Sequence, residues 1–128
     1  MTICPFCNAD GAVLGNSLAF ACFDKYPVNE GHLLVLPRRH VASWFEATGQ
    51  ERSALLAMLD EGRHLLETLF RPDGYNIGIN SGEAAGQTIM HLHVHLIPRF
   101  RGDCAEPRGG VRGVIPARQT YPIEGEAS

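Results

Sequence analysis

Apolar and polar positions divide the chain into four extended runs and one long helix. Leu18–Phe23 (LAFACF) is a continuous apolar run closed by Asp24-Lys-Tyr-Pro27, and Gly31–Pro37 (GHLLVLP) is a second, stopped by proline. Both read as buried strands, antiparallel neighbours joined by a short loop. The helix begins after Thr48-Gly-Gln-Glu51, where a threonine hydroxyl can cap a backbone N–H and the glutamate three residues on can reach back. From there Leu55, Leu56, Leu59, Leu65, Leu66 and Leu69 recur at helical spacing, with Glu51, Arg52, Glu61, Arg63 and Glu67 between them, until Pro72 and Gly74 end the pattern. A shorter helical turn over Ser43–Ala47 precedes it, and His64 reads as a surface residue of the long helix. Tyr75–Asn80 alternates as a strand and passes through the loop Ser81–Thr88, rich in residues that leave backbone N–H groups free to cradle an anion, into a last apolar run, Met90–Pro98. Residues 1–16 and 99–128 show no core-forming period and read as irregular, and no internal repeat is present.

The last run changes the picture, because it carries His91, His93 and His95 at alternating positions. If all of it is strand, the imidazoles share one face while Leu92, Val94 and Leu96 enter a core on the other. Each step of two residues advances roughly 7 Å, too far for neighbouring rings to touch but suited to successive parts of a phosphate chain. Three polar groups in register on an apolar strand each need a partner, which favours a chemical role over three incidental histidines.

Composition narrows the classes. A chain of 128 residues is expected to form a single domain, and 45% hydrophobic with 20% charged residues is the balance of a globular protein. A formal net charge of -3 supplies no general attraction to nucleic acid or anionic membrane, so a phosphate ligand must be held by a local site. No charged leader precedes an apolar stretch in MTICPFCNADG and no run is long enough for a bilayer, so the expected location is the cytoplasm. In that reducing setting the four cysteines read as metal ligands or core residues. Cys4-Pro-Phe-Cys7 can place two thiolates on one ion, and His32 and His40 offer imidazoles to complete a tetrahedron; a redox dithiol and two plain buried cysteines remain open beside this reading. Cys22 reads as a core residue and Cys104 as an exposed thiol. No P-loop or paired-carboxylate signature occurs.

Gly86-Gln87-Thr88 followed by His91-Leu-His93-Val-His95-Leu-Ile resembles the signature of the histidine triad proteins, and Phe20–His40 (FACFDKYPVNEGHLLVLPRRH) resembles the first half of that family. The continuation Pro98-Arg-Phe-Arg-Gly-Asp103 is most similar to the fragile histidine triad branch, whose members hydrolyse dinucleoside polyphosphates. The resemblance implies an α+β fold with an antiparallel sheet of about five strands, one long and one short helix, and a homodimer. It also implies roles by position. His93 matches the nucleophile that forms a nucleotidyl-histidine, and His95 and His32 match residues that contact phosphate and orient it. Gln87 and Thr88 match phosphate and leaving-group contacts, Asn80 a polar residue on the phosphate side, and Asp24 a residue that binds ribose hydroxyls. Cys4, Cys7, His40 and His91 match the structural zinc ligands of the relatives that carry the metal, a set shared with the hexose-1-phosphate nucleotidylyltransferases, so that residues 1–16 become a zinc-binding segment. A uridylyltransferase is disfavoured because those enzymes carry glutamine where this chain has His95. Two alternatives to hydrolysis are a nucleoside phosphoramidase, against which the Pro98-Arg-Phe-Arg continuation weighs, and a non-catalytic, zinc-stabilised nucleotide-binding module. Arg108 and Arg112, in Pro107–Gly113, read as part of a solvated loop.

Overall fold

In the computed structural model residues 4–123 and 125 are described; the ends of the two segments read as irregular, residues 1–3, 124 and 126–128, lie outside them. Five strands, β1 (Leu14–Gly15), β2 (Ala19–Phe23), β3 (Leu33–Pro37), β4 (Gly74–Ile79) and β5 (Val94–Arg99), form one sheet in the order β1-β2-β3-β5-β4. Every neighbouring pair is antiparallel. Helix α1 (Gly49–Leu69) and a short 3-10 turn, Trp44–Glu46, complete the expected set. Among the described residues no helix is long and apolar enough to cross a membrane.

Strand β3 is buried at all five positions, as the run LLVLP requires, because it has packing on both faces. Its odd positions, Leu33 and Val35, lie with Val94, Leu96 and the inward residues of α1. Its even positions, Leu34 and Leu36, pack with Phe20 and with Phe6 from the N-terminal turn. Leu34 pairs with His95, and His95 with Gly78, so the His95 side chain stands on the face turned away from α1. This places the chemistry on one side of the sheet and the helix-packed core on the other.

The long helix starts where its capping signal placed it. Thr48 Oγ1 accepts from the Glu51 N–H at 3.0 Å and Glu51 Oε1 accepts from the Thr48 N–H at 2.9 Å. The buried stripe is Glu51, Leu55, Met58, Gly62 and Leu66, not the full leucine set; Leu56 and Leu69 are more than half exposed. Leu56 is rotated by about 100° from Leu55 and so leaves the stripe, which Met58 and Gly62 fill. Gly62 brings the helix close to Leu33 and Leu96, whose methyl groups would lie 3.2 and 3.1 Å from an added Cβ.

Glu51, expected among the polar positions, is buried and accepts two bonds from Arg39, at 2.8 and 3.0 Å. The Arg39 guanidinium, with the capping bonds, holds its carboxyl down at about 2. Because the folded value lies below the unfolded one, this stabilisation is present above about pH 4.5 and is lost as pH falls toward 2. Glu51→Ala is expected to cost about 1–2 kcal/mol, from a lost cap and an ion pair whose arginine is half-exposed. Urea unfolding at neutral pH and again near pH 3 measures it, with the difference between wild type and variant shrinking in acid.

Two segments differ from the sequence reading. Residues 1–16 contain β1 and a 3-10 turn, Pro5–Cys7, and the tail contains 3-10 turns over Gly110–Val114 and Pro116–Arg118. Strand β5 begins only at Val94, so His91 and His93 precede it. His91 and Leu92 are both buried, which breaks the strict alternation expected over Met90–Pro98. The three imidazoles therefore do not form one evenly spaced row.

Candidate active site and metal centre

Two clusters of histidine meet at the start of β5. The first gathers Cys4, Cys7, His40 and His91, whose ligand atoms all lie within 4.8 Å of one another. His91 is fully buried, and its Nε2 donates to the Pro37 carbonyl at 2.8 Å, leaving the Nδ1 lone pair facing the thiols. Cys4 Sγ and Cys7 Sγ stand 3.5 and 3.6 Å from that Nδ1, and Cys7 Sγ stands 3.3 Å from His40 Nδ1. Ligand bonds of about 2.0–2.3 Å in a tetrahedron put neighbouring donor atoms roughly 3.3–3.8 Å apart, so these spacings and this S₂N₂ donor set suit a closed, four-coordinate ion. Burial lowers the His91 pKa, and the neighbouring His40 and His93 reinforce it against the Pro37 bond, which keeps the imidazole neutral as a ligand must be. Spacing alone offered His32 to this set, whereas the family resemblance named Cys4, Cys7, His40 and His91 and put His32 on the phosphate side; in the structure these four lie together and His32 lies in the other cluster.

The second cluster is His93, His95, His32 and Asp24. The His91 carbonyl, which can only accept, lies 2.8 Å from His93 Nδ1, so the proton is on Nδ1 and Nε2 carries the lone pair. His32 is fixed by a similar argument. The Val28 N–H donates to its Nδ1 at 3.0 Å, so its own proton sits on Nε2 and is donated to His95 Nδ1 at 2.9 Å. His95 then carries its proton on Nε2. The result is an acceptor, His93 Nε2, beside a donor, His95 Nε2–H, with ring centroids 5.2 Å apart, closer than an even strand spacing predicts.

Burial pushes the His95 pKa down to about 4, with help from His93 and His32 and opposition from Asp24, so it is a neutral N–H donor at pH 7. His32 is lowered by burial and pulled back by Asp24, whose Oδ2 lies 3.5 Å from its Nε2. Asp24 Oδ1 accepts from the Tyr26 N–H, which holds the carboxylate at the end of β2. Asp24, His32 and His95 also lie close enough to share an ion, but the proton on His32 Nε2 makes this group a hydrogen-bond relay. Gly31 supports the relay, since its φ of +93° and its contact with the Phe70 ring leave no place for a Cβ immediately before His32.

The remaining candidates are spread around these clusters. Asn80 lines a cavity of about 400 Å³ together with His32, His95, Ile97, Val111 and Val114. Gln87 is buried, and its amide is engaged with backbone: Oε1 accepts from Gly82 N–H, and Nε2 donates to the Ala42 and Ile89 carbonyls. It fastens the glycine-rich loop beside the end of the Cys/His cluster. Thr88 is exposed on that loop. Arg112 points back to the carbonyls of Arg118 and Gln119 and over the Tyr121 ring, and Arg108 reaches the Tyr121 carbonyl, so both serve the fold of the tail. Val111 and Val114 had no periodicity to reveal them as a cavity wall, whereas Ile97 was legible as the next outward position after His95. Phe6 lies against both clusters, with its ring 5.0 Å from that of His93 and 6.3 Å from that of His91.

Residues 8–102 match the family model described as the HIT domain. Among curated relatives, the chain is 38% identical over 98 residues to a Mycobacterium tuberculosis protein named AP-4-A phosphorylase, covering 75% of this chain and 50% of that one. It is 37% identical over 89 residues to the Schizosaccharomyces pombe bis(5'-nucleosyl)-tetraphosphatase [asymmetrical], covering 70% and 49%. The chain thus spans about half the length of these relatives. Among solved structures, a Bacillus anthracis HIT family protein superposes with a TM-score of 0.73 at 34% identity, covering 78% of this chain and 75% of that one. A Zn-bound histidine triad family protein from Mycobacterium smegmatis does so with a TM-score of 0.68 at 28% identity, covering 74% and 69%.

Proposed function

The chain belongs to the HIT domain family, and from that premise we propose that it is a nucleotide hydrolase that splits a dinucleoside polyphosphate or a related nucleotide conjugate at the α-phosphate through a nucleotidyl-histidine. The observation that carries this reading is the pair of opposed tautomers: a lone pair on His93 Nε2 next to a proton on His95 Nε2.

In the first step the His93 Nε2 lone pair attacks the α-phosphorus in line with the bridging oxygen, forming a P–N bond as the P–O bond breaks. His95 Nε2–H donates to the phosphate oxygens, where it stabilises developing charge. In the second step water attacks the same phosphorus, the P–N bond breaks and returns the lone pair to His93 Nε2, and the water's proton is lost to solvent as the nucleoside monophosphate leaves. His32 keeps His95 in the donating tautomer, and Asp24 is the candidate for the ribose hydroxyls. Asn80, which follows β4, lines the cavity that His32 and His95 also line. Gln87 holds the phosphate-side loop through its three backbone bonds, and Thr88, exposed on that loop, is the candidate for the phosphate and leaving-group contact. Cys4, Cys7, His40 and His91 would hold a zinc ion, which fastens the N-terminal turn to the residues ahead of β5 and takes no part in the reaction. The donor spacing and the Zn-bound family neighbour support this assignment.

The relatives named as hydrolases and as a phosphorylase set water against inorganic phosphate as the acceptor. Turnover of diadenosine tetraphosphate in ¹⁸O-enriched water, with and without added phosphate, separates them. Hydrolysis at the α-phosphate predicts AMP carrying ¹⁸O and unlabelled ATP. Label confined to ATP places the attack elsewhere and sinks the mechanism, and absence of turnover across a panel of nucleotide conjugates favours a binding module.

A further inference from the structure

The three-residue turn Pro5–Cys7 faces two ways. Its flanking thiols, Cys4 and Cys7, approach His91 Nδ1, while the ring between them, Phe6, turns onto His93 and onto the apolar cluster of Phe20, Leu34 and Leu36. The Phe6 ring meets that of His93 edge-on, at 5.0 Å and 64°. His93 itself is held by the His91 carbonyl at Nδ1, by the His95 ring and by Phe6. The hydrogen bond fixes which nitrogen is protonated, but a single bond at one ring atom leaves the imidazole free to swing about it. A ring packed against its side removes that freedom.

We propose that Phe6 is a positioning residue, which holds the His93 ring so that Nε2 faces the substrate and makes that placement depend on the Cys4–Cys7 turn being gathered at His40 and His91. The inference deepens the hydrolase reading and rests on it for the kinetic consequence, while the ring placement itself stands on geometry. The Cys4–Cys7 turn then has a second effect besides joining the N-terminal segment to the sheet: it sets the order of the nucleophile. Phe6 lies outside the residues matched by the family model, so the device belongs to the flank of the domain.

The test compares the full zinc-loaded chain with Phe6→Leu, which keeps apolar volume against Phe20 and Leu34, with Phe6→Ala, and with Phe6→Tyr, which keeps the ring. NMR relaxation of labelled histidine rings reads the order of the His93 imidazole without substrate, and metal content and steady-state kinetics are taken on the same samples. The parent and Phe6→Tyr should show a rigid His93 ring in the Nδ1–H tautomer. Phe6→Leu and Phe6→Ala should keep the Nδ1–H tautomer but show a mobile His93 ring and a roughly tenfold or greater fall in kcat, with KM changed by less than about twofold and the metal retained. An equally rigid His93 ring in metal-bearing Phe6→Leu would overturn the proposal. So would a rise in KM at constant kcat, which would make Phe6 a substrate contact, or a loss of activity that follows only loss of metal. If the parent turns over no nucleotide, the hydrolase reading fails while the NMR comparison still decides the positioning role.

Discussion

Replacing His93 by alanine is expected to lower turnover of diadenosine tetraphosphate by on the order of a thousandfold or more, with metal content and thermal midpoint held near those of the parent. The effect is large because no neighbour can take over. His95 Nε2 carries a proton and His95 Nδ1 is occupied by His32, so neither nitrogen presents a lone pair to phosphorus. The relay residues should behave differently. His95→Ala removes a donor whose loss is worth roughly a hundredfold to a thousandfold in kcat, and His32→Ala acts through His95, releasing its tautomer. Steady-state kinetics on the three variants checks the order. Activity in His93→Ala within tenfold of the parent would show that another group attacks.

The second large effect concerns stability. Cys4→Ser and Cys7→Ser are each expected to reduce zinc from about one ion per chain to a small fraction and to lower the thermal midpoint by roughly 10 °C or more. The structure explains why the loss would spread. His91 is fully buried, bonded to the Pro37 carbonyl at the end of β3, and its own carbonyl orients His93. An ion on His91 would therefore tie together the N-terminal turn, the end of β3 and the approach to β5. Elemental analysis and thermal melting with and without a chelator measure this. A parent that carries no zinc as isolated, or whose midpoint is unchanged by the chelator, would reject a structural ion at this site.

Much of the fold was legible because local signals and burial agreed. The Thr48-x-x-Glu51 box started the helix where it forms, and LAFACF and GHLLVLP paired as the antiparallel neighbours their lengths and flanking turns suggested. The alternation of His91, His93 and His95 misled over half its span, since the backbone before Val94 follows other partners: the Leu92 N–H bonds to the Val41 carbonyl, and His91 turns inward. Residue types at these positions pointed to the chemistry, but its direction did not follow from them. Which nitrogen of His93 is free depends on a backbone carbonyl two residues away, and which nitrogen of His95 donates depends on the Val28 N–H acting through His32. Glu51 was legible as the capping residue among the polar positions, but nothing in the separation of twelve residues announces its contact with Arg39. Val111 and Val114 were invisible for the same reason, being placed on the cavity by the tertiary path of the tail.

The central claim, that His93 Nε2 becomes covalently nucleotidylated, has a direct measurement. The chain is mixed with diadenosine tetraphosphate radiolabelled at the α-phosphate, quenched within milliseconds in denaturant at alkaline pH, and mapped by mass spectrometry. The account predicts one acid-labile adenylyl group on His93, formed and consumed at rates that match turnover and absent from His93→Ala. Turnover of the nucleotide with no label on the chain, or with label equally present in His93→Ala, would contradict it.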